Sequence, residues 1–129
     1  MARQENRQPT NAELEILLVL WDKGPCTVRE VYKSIAAKRE AGYTTILKLM
    51  QIMTEKGLLL CDKNVRPQLY KVVQSQQKTQ RQLIGDLLDR AFSGSPGNLV
   101  LQALSTKKAT QEERRKIREL LDQLEGEKK

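Results

Sequence analysis

Apolar residues recur at helical spacing three times in the first sixty positions, each time behind a recognisable start signal. Leu14, Leu17, Leu18 and Trp21 keep the helical period. Ahead of them Thr10-Asn11-Ala12-Glu13 spells a capping box, in which a hydroxyl serves the N–H three residues on and a carboxylate reaches back to the cap. Gly24 and Pro25 end this helix. Thr27-Val28-Arg29-Glu30 repeats the box, and Val28, Val31, Tyr32, Ile35 and Ala36 form the stripe of a second helix. After the turn "REAG", Ile46, Leu49, Met50 and Met53 mark a third helix, which Gly57 stops with a left-handed residue. The period then shortens to that of strands: "LLLCDK" (58–63) and "QLYKVV" (68–73) flank the turn "NVRP" and predict a hairpin with a basic tip. Three helices and a hairpin in this order are the layout of a winged helix-turn-helix.

From about residue 75 the helical period returns. Thr79 with Gln82 predicts a start, and Leu83, Ile84, Leu87, Leu88, Ala91 and Phe92 run as a continuous seam. "SGSPGN" interrupts it. Ser95 and Pro96 then supply the cap and first-turn proline of a short apolar helix, "NLVLQALS". Thr110 to Glu113 makes a further capping box, opening a last helix with Ile117, Leu120, Leu121 and Leu124 on one side. The expected fold is mainly α with a small antiparallel β-hairpin. A winged-helix DNA-binding domain is expected over 10–74, a helical dimerisation domain over 75–124, and mobile ends at 1–9 and 125–129. The second segment carries too much apolar surface for an exposed arm and is too short for a comfortable core of its own. A twofold pairing through Leu83, Ile84, Leu87, Leu88, Ala91, Leu101, Ile117, Leu120, Leu121 and Leu124 resolves that conflict.

The third helix has an unusual outer side. With its stripe turned inward, steps of about 100° per residue place Thr44, Lys48, Gln51 and Glu55 opposite it, with Thr45 and Leu47 on the flanks. Short hydroxyl and amide donors, a methyl-bearing threonine and a lone lysine suit the edges of bases in a DNA major groove. In the hairpin, Lys63, Arg66 and Lys71 are placed to follow phosphates.

Composition narrows the chemistry. The 129 residues hold 23 Lys and Arg against 16 Asp and Glu, a net charge of +7, which favours a polyanionic partner. There is no His, so the commonest general base and metal ligand is missing, and no catalytic residue, metal or cofactor is expected. Cys26 and Cys61 stand alone in apolar settings and read as small core residues. Met50, Met53, Trp21 and Tyr32 read as packing residues too. No stretch reaches the roughly 20 apolar residues of a membrane span. The opening "MARQENRQPTN" has no apolar signal region, so a cytoplasmic location without membrane insertion is expected.

Along residues 10–124 the chain resembles the penicillinase-repressor family of the BlaI, MecI and CopY type. The segments that carry the resemblance are "TNAELEILLVLWDKGPCTVREV", "GYTTILKLMQIMTEKGLL" and "GNLVLQAL". The first looks like the family's x-x-E-x-x-V-M-x-x-x-W opening. The resemblance implies a homodimeric winged-helix repressor of inverted-repeat operators. In relatives it is relieved by copper at paired cysteines or by cleavage in the dimerisation region, under a membrane sensor protease. No C-terminal cysteine is present for the copper branch. The dipeptide matching the cleaved Asn-Phe bond of relatives is Gln102-Ala103, which makes it the candidate cleavage site. Thr44 and Leu47 stand where the best-known relatives have Lys and Arg, so the operator sequence does not carry over. Two other readings compete: a ligand-sensing winged-helix regulator of a different family, and a winged-helix adaptor that binds protein alone.

Overall fold

All three capping boxes form. Thr10 Oγ1 accepts the Glu13 N–H at 3.2 Å while Glu13 Oε1 accepts the Thr10 N–H at 2.9 Å, opening α1 (Asn11–Lys23). Thr27 and Glu30 do the same for α2 (Val28–Ala36), and Thr110 and Glu113 for α6 (Gln111–Gly126). Between these lie α3 (Tyr43–Glu55), strands β1 (Leu59–Asp62) and β2 (Leu69–Val72), α4 (Gln76–Ala91) and α5 (Pro96–Thr106). This computed structural model describes residues 8–126. The ends expected to be mobile, 1–9 and 125–129, fall mostly outside those residues, although α6 continues through Glu125 to Gly126.

The chain divides into two compact units, residues 1–83 and 84–129. In the first, α1, α2 and α3 pack around Ile16, Leu20, Val31, Ile46, Met50 and Met53, all essentially inaccessible, and Leu59 and Tyr70 of the hairpin close the same core. The apolar stripe of α1 is rotated from its expected phase. Glu13, Ile16, Leu17 and Leu20 point inward, whereas Leu18 is exposed and Leu14 only half-buried. An apolar run from Ile16 to Leu20 satisfies the helical period in more than one phase, so only packing against α2 and α3 selects the buried face.

The strands pair antiparallel with Leu59 opposite Val72 and Cys61 opposite Tyr70, which turns these four inward and leaves Leu60 and Lys71 together on the outer side. A third, single-residue rung was not expected. Cys26, in the turn between α1 and α2, exchanges both backbone hydrogen bonds with Tyr70, at 3.0 and 2.8 Å. The hairpin is therefore pinned to the helical core by main chain as well as by side chains. Burial also pushes the Cys26 thiol up from its ordinary range, which suits a core residue.

Thr79 does not start α4. The helix begins at Gln76, where Ser75 Oγ accepts the Lys78 N–H at 3.1 Å, and Thr79 lies buried inside its first turns. The Thr79 hydroxyl instead accepts the Gln74 side-chain amide at 2.9 Å, which also reaches Gln82 at 3.0 Å. The Gln74 carbonyl accepts the indole N–H of Trp21 at 3.0 Å. A polar latch thus ties the start of α4 to α1.

In the second unit, Ser95 caps α5 with Pro96 in its first turn. None of residues 84–126 is buried.

Candidate nucleic-acid interface

Gly42 begins α3 without a side-chain cap, and Gly57 ends it at φ 87°. Between them the helix is sharply two-sided. Ile46, Met50 and Met53 are buried and Leu49 is half-buried against the same core, so the opposite side must face outward. Thr44, Thr45, Lys48, Gln51 and Glu55 are all exposed there, and Leu47 is half-buried on the flank. The positions singled out in the sequence thus lie together on one solvent-facing surface. Its N-terminal half carries the hydroxyls and the ammonium, the Gln51 amide follows one turn on, and Glu55 sits at the far end.

A cleft of about 380 Å³ runs alongside this surface, lined by Thr27, Arg29, Tyr43, Leu47, Gln51 and, from the wing, Pro67 and Gln68. Arg29 and Tyr43 were not singled out by the sequence. The guanidinium of Arg29 lies 5.3 Å from the centroid of the Tyr43 ring, within cation–π range. The Tyr32 and Tyr43 rings also make a T-shaped contact, with centroids 5.7 Å apart and planes at 77°. The two contacts hold the first residue of α3 and keep an arginine at the mouth of the cleft. A signal for Arg29 existed: it occupies the first turn of α2, off the Val28, Val31 and Ile35 stripe. Its partner Tyr43 is set by tertiary packing and left no local mark.

In the wing, Lys63 and Arg66 are exposed in the turn between the strands. Lys71 is exposed too but goes elsewhere. It stands opposite Leu60 on the outer side of the hairpin and lines a different cleft, with Pro25, Asp62 and Leu69. Among the described residues, Arg29, Lys48, Lys63, Arg66 and Lys71 are in no ion pair, so their charge is available to an outside anion.

The residues expected to join two copies are distributed over α4, α5 and α6. Ile84, Leu87, Leu101, Leu120, Leu121 and Leu124 are each close to half exposed or more, while Leu83, Leu88 and Ile117 are intermediate and Ala91 is exposed. Gln102 and Ala103 are exposed in the middle of α5. Among the described residues no group of acidic or cysteine side chains is arranged to hold a metal, and no helix is long and apolar enough to cross a membrane.

The model of the penicillinase repressor family matches residues 9–123. Two curated relatives, both named transcriptional regulator BlaI, come from Mycobacterium tuberculosis strains CDC 1551 / Oshkosh and ATCC 25618 / H37Rv. Each is 32% identical over 73 residues, which cover 56% of this chain and 53% of the relative. The match thus spans about half the length of these relatives.

Proposed function

We propose a mode of action for this chain from the premise that it belongs to the penicillinase repressor family, a family of transcriptional repressors and not of enzymes: it represses transcription by binding inverted-repeat operator DNA as a homodimer in the cytoplasm. The observation that carries this reading is the outward side of α3, where Thr44, Thr45, Lys48 and Gln51 are exposed together beside a cleft walled by the wing. Residues 10–74 read DNA, with the N-terminal part of α3 in the major groove and Leu47 against a thymine methyl. Arg29, Lys63 and Arg66 take phosphates; Lys71, on the outer side of the wing, reaches only a more distant part of the backbone.

Residues 75–124 join two copies through the apolar side chains that α4, α5 and α6 leave exposed. Two recognition helices about one helical turn apart, ~34 Å, then engage both half-sites at once. Linking the two binding events raises affinity by roughly 10²–10⁴-fold over one half-site, so separating the copies releases the operator. Cleavage at Gln102-Ala103, under a membrane sensor protease, is the proposed route. It requires α5 to open locally, because both residues lie in the middle of an α-helix.

The test is an electrophoretic mobility shift with the promoter of the chain's own operon. A specific complex is expected at low salt, with log Kd rising linearly with log salt as condensed counterions are released. No complex at low salt would instead support an adaptor that binds protein alone.

A further inference from the structure

The same capping box occurs three times among the described residues, and in one of them the glutamate behaves differently. Glu30 and Glu113 cap their helices from the surface, so capping alone needs no burial. Glu13 is 2% exposed. Its carboxylate accepts the Thr10 N–H at 2.9 Å and also receives Lys56 Nζ on both oxygens, at 2.8 and 2.7 Å. Lys56 is the C-cap of α3, with a largely buried side chain. The bond joins the first turn of α1 to the end of the helix that carries the DNA-facing surface.

Stability alone is a weak reason for such a pair. Replacing a buried ion pair by apolar side chains of similar volume is often neutral or stabilising, because desolvating two charges offsets most of their attraction. What it adds over an apolar contact is direction: both oxygens are committed, and the carboxylate is already oriented by its own helix cap. The start of α3 has no side-chain cap and is held by packing, with Ile46 in the core and Tyr43 against Tyr32 and Arg29. Its other end is therefore where a directional bond can fix the tilt.

We propose that Glu13 and Lys56 are positioning residues that set the tilt of α3 for base reading, an inference that rests on the DNA-binding function proposed above. The pair stands away from the outward surface and touches no DNA. Its role is to hold Thr44, Lys48 and Gln51 in register with the base edges, where small displacements break hydrogen bonds, while phosphate contacts tolerate them.

The experiment measures binding of the full chain to two duplexes of equal length, one carrying its own promoter and one unrelated, by fluorescence anisotropy, alongside a thermal melt. Glu13→Leu combined with Lys56→Met removes the pair without changing net charge. The double variant, which loses the Thr10 N–H bond along with the ion pair, is expected to melt close to the wild-type temperature and to bind the unrelated duplex as before. Its preference for the promoter should fall about tenfold, the discrimination of roughly one base pair. Lys56→Arg alone, with Glu13 in place, keeps a donor to both oxygens and should retain most of that preference. If the double variant melts below the assay temperature, Glu13→Gln, which keeps volume and an acceptor for Thr10, carries the same comparison and should lose part of the preference. An unchanged preference in the folded variant overturns the positioning role alone. A wild type that binds both duplexes equally overturns the DNA-reading function and this role with it.

Discussion

Residues 16–70 and residues 84–126 contain similar kinds of apolar side chains in helices of similar length, yet they use them in opposite ways. In the first stretch Ile16, Leu20, Met50 and Leu59 are hidden from water. In the second, Leu101 is 65% exposed and Leu120, Leu121 and Leu124 about half exposed. A helix stripe that finds a neighbour within the chain becomes core, while one that does not remains an adhesive surface. The difference separates a part that buries its apolar side chains within the chain from a part that leaves them open to water, the surface on which the proposed pairing relies.

The sharpest way to break the contrast is a charge in the exposed stripe. Leu87→Asp is expected to give monomers in sedimentation and to lower operator affinity at least about 10²-fold, since the second half-site contact is lost. A dimer that persists would remove residue 87 from the interface. The next largest effect is on stability and belongs to the other region. Leu20→Ala should cost roughly 2–5 kcal/mol in urea unfolding, whereas Leu101→Ala should cost far less in the monomeric Leu87→Asp background, because its side chain there already meets water. Equal losses at the two sites would contradict the division.

Smaller in size is the effect of the ion pair between Glu15 and Arg39, which joins α1 to the segment after α2 through bonds of 2.8 and 2.7 Å. The hydrogen bond from Arg39 holds the Glu15 carboxyl below its ordinary pKa, with a lesser contribution from that guanidinium's charge. A group whose folded pKa is depressed stabilises above its unfolded value, about 4.3 for glutamate, and loses that contribution as pH falls through the folded value. Glu15→Gln should therefore lower the melting temperature slightly at pH 7, and the gap to wild type should close as the solution is acidified below the usual glutamate range. A gap that is the same at both ends would show that the pair acts by packing alone. Both side chains are substantially exposed, so the effect is small.

Much of this architecture is written locally. The capping boxes at Thr10, Thr27 and Thr110, the stop at Gly57 and the alternation in "QLYKVV" each depend on residues within a few positions, and the elements form where those signals stand. The outer side of α3 was legible for the same reason: its buried stripe fixes the phase of every other residue on that helix. What escaped depends on partners far along the chain. The rung between Cys26 and Tyr70, the stacking of Arg29 on Tyr43 and the burial of Glu13 by Lys56 have no local signature. The phase of α1 escaped because its apolar residues cover more than one side. The start of α4 was misplaced because Ser75, three residues before Lys78, was a quieter cap than the Thr79 that the fold uses as a buried acceptor.

The outward side of α3 is the part proposed to meet DNA, and a single titration probes that contact. Operator binding by Lys48→Ala is measured by anisotropy, with a melt of the same sample. Because Lys48 is exposed and in no ion pair among the described residues, affinity should fall by about tenfold, the cost of a lost base or phosphate contact of ~1–3 kcal/mol, while the melting temperature stays at its wild-type value. Undiminished affinity in that variant would show that this side of α3 does not meet the operator.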